Sequence, residues 1–318
     1  MIATLGRPDA LAVCFHSLSI QSHRPDEVIV VHAGADPETR ELCERHSRDV
    51  PYPVRYYSCS VRGAALQRDF GVHQAAGDLV LFADDDVEFA TDWIEQLLAV
   101  VSADPGTAAA MGALSNQSLL PPTAIWRLYR RVVATAAVAN RPGAIIGALV
   151  PNGFPPETRA AMAAEWIGGG VTLLRKSAYL SVDGFAAHYR GSSPGEDLDL
   201  GYRLSRRWKV FYVPAARCVH HQASSGREQI GRHQYLSMRS RYGFCRASAG
   251  MSVVQSWWQM CVWALFQTAS EFAQLRRGRL RRDFLQACWG RCYGALSCIN
   301  WNPAGEPQPE WRRRRADA

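Results

Sequence analysis

Residues 79–86 read Leu-Val-Leu-Phe-Ala-Asp-Asp-Asp, an apolar run that ends in three consecutive carboxylates. Adjacent like charges repel, so the triplet fits either a solvated turn or a site for something positive. Hard divalent cations such as Mg²⁺ and Mn²⁺ take oxygen ligands and share them with substrate phosphates. In an extended segment Asp84 and Asp86 point to one side, so one can reach a metal and the other a neighbouring sugar hydroxyl. A second acidic group, Gly195-Glu196-Asp197-Leu198-Asp199-Leu200, opens a segment in which Leu200 and Leu204 lie one helical turn apart. Acids at a helix start fit capping and the helix dipole as well as catalysis. His220 closes the short apolar run Cys218-Val219-His220, where an imidazole is either structural or a ligand.

The elements that would hold these residues follow from hydrophobic spacing. Asp9 to Ile20 carries Leu11, Val13, Cys14 and Leu18 at helical spacing, and Glu27 to Val31 is a compact β-branched run. Pro37 to His46 reads as a helix, residues 53–57 as a strand, 63–76 as a helix, 79–83 as a strand and 90–102 as a helix. Strand and helix alternating at this spacing predict an α/β fold with a mainly parallel sheet covered by helices. In such sheets ligands bind at the carboxyl ends of the strands, where Asp84 falls.

Residues 116–160 are less regular, with Pro121-Pro122, the aromatic-basic run 126–131 and the Pro-rich run 151–156. They read as a functional insertion. Regular signals return at 168–174, after Lys176 and over 210–214. Val253 to Leu275 is rich in Trp, Met, Leu and Phe, but Gln255, Gln259, Gln267 and Glu271 interrupt it, and a basic run over 276–282 follows. It falls short of a clean membrane span. An interfacial helix and a helix packed on the domain both fit it.

The 318 residues are 47% hydrophobic and 20% charged, a composition with enough apolar content for a large core. The net charge of +7 is carried almost wholly by arginine, since Lys176 and Lys209 are the only lysines. No nucleic-acid motif accompanies that charge, and the acidic segments would repel a phosphate backbone, so nucleic acid is excluded as a partner. Nine scattered cysteines with no paired spacing, and no signal-peptide pattern at the N-terminus, predict reduced thiols and a cytoplasmic protein.

Taken in order, several segments resemble the family 2 glycosyltransferases, which have the GT-A fold and invert the anomeric centre. They are Ala3-Thr4-Leu5-Gly6-Arg7-Pro8, Leu18 to Val31, Gln67-Arg68-Asp69-Phe70-Gly71 and Ala76 to Asp86. They continue with Gly169-Gly170, Asp183-Gly184-Phe185, Gly195 to Leu200 and Val213-Pro214 through Val219-His220. The resemblance spans residues 1–245. It implies a catalytic GT-A domain there, with a nucleotide-binding half over 1–115 and an acceptor-binding half over 116–245. A helical, possible membrane-associating region over 246–305 and a basic, disordered tail over 306–318 would follow.

By the same resemblance Asp86 and His220 bind a divalent metal, Mn²⁺ or Mg²⁺. Thr4, Arg7, His32, Arg68, Asp84 and Asp85 line the nucleotide-sugar site. Asp197 is the catalytic base and Glu196 supports it. The implied activity is single-sugar transfer from a UDP-, dTDP- or GDP-linked donor to a hydroxyl acceptor. The acceptor would be a glycan or a polyprenol-linked oligosaccharide of bacterial surface or exopolysaccharide synthesis, met through peripheral contact at the cytoplasmic face of the inner membrane; the 116–160 insertion would shape its site, with Trp126 or Trp166 stacking on a sugar ring. An inactive sugar-nucleotide binder is the alternative, and a nucleotidyltransferase a weaker one.

The chain departs from the pattern in places. His32 replaces a usual acid, and Asp69 replaces an asparagine and would add an acid near the phosphates. The first strand is nearly absent, so that the sheet would lack part of an edge or the true start would lie upstream. The Q-x-x-R-W signature of processive synthases is missing, which favours a single addition.

Overall fold

A computed structural model describes residues 1–116, 123–222, 229–275, 281–307, 309 and 311–312. Pro121-Pro122, residues 276–280 of the basic run 276–282 and most of the expected tail lie outside the described residues.

The chain begins β1 (Ile2–Thr4), α1 (Pro8–Ser19), β2 (Val28–Ala33), α2 (Pro37–Asp49), β3 (Val54–Cys59), α3 (Ala64–Gln74) and β4 (Leu79–Asp84). It continues with β5 (Val87–Phe89), α4 (Trp93–Ala103), β6 (Thr107–Leu114), α5 (Ala124–Val133), α6 (Ala136–Ala139), β7 (Ile145–Ile146), β8 (Val150–Pro151) and β9 (Met162–Ala163). Then come β10 (Val171–Arg175), α7 (Lys176–Ser181), α8 (Glu196–Ser205) and β11 (Lys209–His220), and the helices α9 (Ile230–Gly243), α10 (Val253–Leu275) and α11 (Arg281–Leu296).

The main sheet runs β3-β2-β1-β4-β10-β6-β11-β5, with β9 added on β11. Its first four strands are mutually parallel, and β10 runs antiparallel to both of its neighbours. β-branched residues form β2 because the strand is buried on both faces. Ile29 and Val31 enter the core under α3, α7 and α8, whereas Val28 and Val30 enter the one under α1 and α4. On α1, Pro8 starts the helix and Leu11, Cys14, Phe15 and Leu18 supply its buried stripe.

Contrary to the expected edge defect, the three-residue β1 lies inside the sheet, with Ile2 opposite Val30 of β2 and Ala83 of β4. Its neighbours are six residues each. A cavity of about 450 Å³ therefore lies beside Met1, between the opening residues of β2 and β4 and at the end of the sheet away from the carboxylates.

The irregular stretch 116–160 contains α5, α6 and the small ribbon β7–β8. α5 packs Tyr129 against Phe266 of α10, and a third core joins this segment to α9 and α10 through Ile146, Tyr242, Met260 and Trp263. The buried Arg291–Glu271 ion pair, 2.8 Å, ties α11 to α10. No helix among the described residues is long and apolar enough to cross a membrane.

Where these helices meet the main sheet's domain, His188 is packed between Tyr189, Trp301 and the backbone of Gly243. Burial pushes its pKa down from 6.5 to about 4, although Asp199 opposes the shift. The native state therefore refuses a proton that the unfolded chain accepts below pH 6.5, so this site's contribution falls as pH drops from 6.5 towards 4. Over that window it amounts to about 3 kcal/mol. His188→Leu should flatten the pH dependence of the unfolding free energy in urea by that amount; a parallel wild-type and variant profile would contradict it.

Candidate active site

The carboxyl ends of β1, β2 and β4 bring Thr4, His32 and the acidic triplet to one edge. Asp84 ends β4 while Asp85 and Asp86 form the turn into β5, so it is this turn, not an extended strand, that brings Asp84 and Asp86 to one side. Together with His220, from the end of β11, they offer three ligand atoms within 4.8 Å of one another. His220 Nε2 lies 3.0 Å from Asp86 Oδ1. Its hydrogen bond with Asp86 raises the imidazole's pKa, and partial burial opposes the shift. Asn116, which the sequence reading missed, fixes the His220 backbone in both directions, at 2.8 and 3.1 Å.

Asp85 turns inward and is fully buried. It accepts from the Thr4 hydroxyl at 2.6 Å and from Arg7 Nε at 3.0 Å. Burial pushes its pKa up to about 6, with the Thr4 hydrogen bond and Arg7 in opposition. Arg7 also reaches Asp86 at 3.5 Å. The triplet therefore divides its work: two carboxylates face the pocket and the middle one fastens the β1–α1 turn beneath them.

That turn is braced a second way. His32 Nε2 accepts from the Gly6 N–H at 2.9 Å while Nδ1 donates to the Gly34 carbonyl at 3.0 Å, which assigns the Nδ1–H tautomer from its partners. Both ring nitrogens are thus engaged by backbone. Gln67, another residue without a role in the sequence reading, spans the ends of β1 and β2 by donating to the carbonyls of Thr4 and Val31 at 2.9 and 2.8 Å.

Arg68, one residue further on α3, is 4% exposed. It meets Asp84 at 2.5 Å and Glu196 at 3.3 Å. Burial works against its charge, but Asp84 and Glu196 outweigh it and raise the guanidinium's pKa. Glycines clear its path: a Cβ on Gly169 would fall 2.8 Å from Arg68, and one on Gly170 would fall 2.1 Å from Asp84. Gly195, at φ +89°, turns the chain into α8 and delivers Glu196 and Asp197 to the same pocket.

Asp197 accepts from the Gly169 N–H at 2.9 Å and the Leu198 N–H at 2.8 Å. Burial raises the pKa of both acids. Asp197 raises that of Glu196 further, and Arg68 restrains both. Asp69, in contrast, leaves the pocket altogether. Its carboxylate faces the other side of α3, where Tyr179, Trp311 and Arg312 take it, so it adds no acid near the phosphates.

The site thus gathers Asp84, Asp86, Glu196 and Asp197 around Arg7 and Arg68, with Asp85 buried beneath, an excess of carboxylate that suits a cation. Two carboxylates and an imidazole form a donor set that fits Mn²⁺ well and Mg²⁺ through its oxygens. Of the two tryptophans proposed for sugar stacking, Trp166 is packed against Phe154 with its N–H on the Asn152 carbonyl, and Trp126 against Tyr129.

A family model described as "Glycosyl transferase family 2" matches residues 1–121. The chain is 27% identical over 291 residues to N-acetylglucosaminyl-diphospho-decaprenol L-rhamnosyltransferase of Mycobacterium tuberculosis, covering 84% of this chain and 90% of that protein. Among solved structures it is similar to the mannosyltransferase PcManGT of Pyrobaculum calidifontis, in complex with GDP-Man and Mn²⁺. That match has a TM-score of 0.54 and 14% identity, over 94% of this chain and 86% of the other. It is also similar to the first 349 residues of S. aureus TarS, with a TM-score of 0.51 and 14% identity over 90% and 79% of the two chains.

Because Arg68 stands between Asp84 and Glu196, Arg68→Met should leave buried carboxylates uncompensated and cost about 3–5 kcal/mol of stability at pH 8. Burial and the neighbouring Asp197 raise the pKa of Glu196 to about 8, so as the pH falls Glu196 takes up a proton and the deficit should shrink towards pH 5. Urea unfolding at both values checks this, and a deficit that is small or independent of pH would contradict it.

Proposed function

The chain is a family 2 glycosyltransferase of the GT-A fold, and from that premise we propose that it transfers one sugar, with inversion, from a nucleotide-diphosphate donor to a hydroxyl of a polyprenol-diphosphate-linked glycan. One observation carries the reading: Arg68 bridges Asp84 and Glu196, so the acidic metal-type cluster and the Glu196–Asp197 pair stand side by side. The match to the rhamnosyltransferase along most of both chains supports a hexose or 6-deoxyhexose as the sugar and a lipid-linked acceptor.

In this reading Asp84, Asp86 and His220 hold the metal ion, which when bound supplies Lewis-acid stabilisation of the charge on the departing nucleoside diphosphate. Thr4 and Arg7 frame the nucleotide, Arg68 orients the diphosphate, and Asp85 and His32 keep the β1–α1 turn in place. Asp197 takes the proton of the acceptor hydroxyl as its oxygen attacks the anomeric carbon from the face opposite the leaving diphosphate. The bond to the diphosphate breaks as the new glycosidic bond forms, so the configuration inverts. Burial makes Asp197 a stronger base than a solvated carboxylate, and the Gly169 and Leu198 amides hold its orientation. Glu196 supports Asp197 by sharing Arg68.

A membrane-facing surface accompanies a lipid-linked acceptor. α10 exposes Trp258, Leu265 and Phe272 at seven-residue spacing, opposite its buried Met260 and Trp263. α11 exposes Leu285, Trp289 and Leu296, and on α5 the exposed Leu128 and Val132 stand beside Arg127 and Arg131. Aromatic and aliphatic side chains flanked by arginine fit the interface of an anionic bilayer. The apolar face then brings the catalytic domain to the plane of the acceptor, at the cytoplasmic side of the inner membrane.

Purified protein with Mn²⁺ and UDP-, dTDP- or GDP-sugars, plus lipid extract as acceptor, should release nucleoside diphosphate from one donor class. Asp86→Ala should abolish release, and Asp197→Asn should lower it by about 10²–10⁴-fold. Donor binding without turnover would favour an inactive sugar-nucleotide binder. On vesicles containing anionic lipid, Phe272→Glu/Trp289→Glu should lose most co-sedimentation; full retention would refute the membrane surface.

A further inference from the structure

Asp69 is a fully buried carboxylate on α3, directly after Arg68 in sequence and directed to the opposite side of the helix. Tyr179 donates to it at 2.6 Å, and Trp311 Nε1 at 2.7 Å. Arg312 grips both of its oxygens, through Nε at 2.9 Å and through Nη2. His73 Nδ1 lies 4.0 Å from the same carboxylate, but it is 2.8 Å from the Asp69 backbone carbonyl. Among the described residues, then, the permanent charge that neutralises Asp69 comes from 243 positions away.

Arg312 has a second pair of contacts. It donates to the carbonyls of Asp183 and Phe185, at 2.5 and 3.0 Å. Those carbonyls belong to the tight turn after α7, where Asp183 and Gly184 both have positive φ and a Cβ on Gly184 would strike the Tyr179 ring at 2.5 Å. From this turn the chain runs to Gly195 and the Glu196–Asp197 pair. One guanidinium therefore clips α3, which carries Arg68, to the segment that leads to Arg68's partner Glu196. Trp311 adds an edge-to-face contact with Phe70 of α3, 5.6 Å between centroids. The approach to this clip is itself fastened: Glu306 accepts from Trp301 at 2.8 Å and pairs with Arg190 at 3.5 Å.

We propose that Arg312 and Trp311 are positioning residues for the donor site: by closing on Asp69 they hold α3 and the 183–185 turn together, and so set the reach of Arg68 to Asp84 and Glu196. Neither touches the pocket, and both act through Asp69. A buried carboxylate left without its cation is strongly unfavourable, so α3 shifts when the clip is removed. Neutralising Asp69 at the same time removes the reason to shift. The inference rests on Arg68 being a donor-site residue, as proposed above.

The test compares wild type, Arg312→Gln and the double variant Asp69→Asn/Arg312→Gln. The first readout is the Kd for whichever of UDP, dTDP and GDP binds the wild type best with Mn²⁺. The second is amide hydrogen exchange over residues 64–74. Arg312→Gln should raise the Kd at least tenfold and quicken exchange in α3. The double variant should return the Kd to within threefold of wild type and restore protection. A wild-type Kd in Arg312→Gln, or a double variant as weak as the single one, would overturn the proposal. If no nucleoside diphosphate binds the wild type, the donor-site reading fails, and unchanged exchange in α3 would then sink the clip on its own.

Discussion

The site depends on a guanidinium that water barely reaches. Arg68 has lost most of its solvation, and carboxylates on two sides recover it: Asp84 from the end of β4 and Glu196 from the start of α8. Neither carboxylate is well placed without the arginine, since both stand among other acids in a partly buried pocket. The arrangement is stable only as a set, which is how a buried ion pair supplies specificity more than net stability. It also fixes geometry, because the strand end and the helix start are joined through one side chain of limited reach.

The rest of the fold serves that juxtaposition. Parallel strands present their carboxyl ends to one edge, and the sheet's buried residues keep those ends in register. The antiparallel β10 crosses between β4 and β6. Just before it the Gly169-Gly170 pair leaves room for Arg68 and Asp84, and an amide of the same pair orients Asp197. Below the pocket, Asp85, Gln67 and His32 spend their polar atoms on the backbone and on neighbours, so that Thr4, Asp84 and Asp86 stay where they are. On the far side of α3 the contacts of Asp69 continue this bracing into the C-terminal segment.

Much of this was legible because the signals are local. The β-branched run at Val28–Val31 and the Leu79–Ala83 run gave strands, whereas Asp84 and Asp86 converge through the turn at Asp85–Asp86 rather than through the expected strand alternation. Less legible was β6, whose Thr107–Leu114 segment holds four alanines and a glycine and lacks the usual strand residues. Its small side chains make sense only in three dimensions, since a Cβ on Gly112 would meet Trp93 at 2.4 Å. β1 was read as an edge defect because three residues carry no pattern; its interior place comes from pairing on both sides. Asp69 was read towards the phosphates because adjacent helical residues look alike in sequence, whereas the 100° step turns it away from Arg68. The partners of Asn116, Gln67 and Arg312 lie 104, 63 and 243 positions away, distances at which no local pattern exists.

The central claim is that the acidic cluster and the Arg68-bridged acids form one metal-and-nucleotide pocket. Anomalous diffraction from crystals grown with Mn²⁺ and a nucleoside diphosphate tests it most directly. The account predicts a manganese peak among Asp84, Asp86 and His220, with the diphosphate beside it and next to Arg68. A nucleotide bound elsewhere, or bound there with the manganese peak away from those three residues, would contradict it.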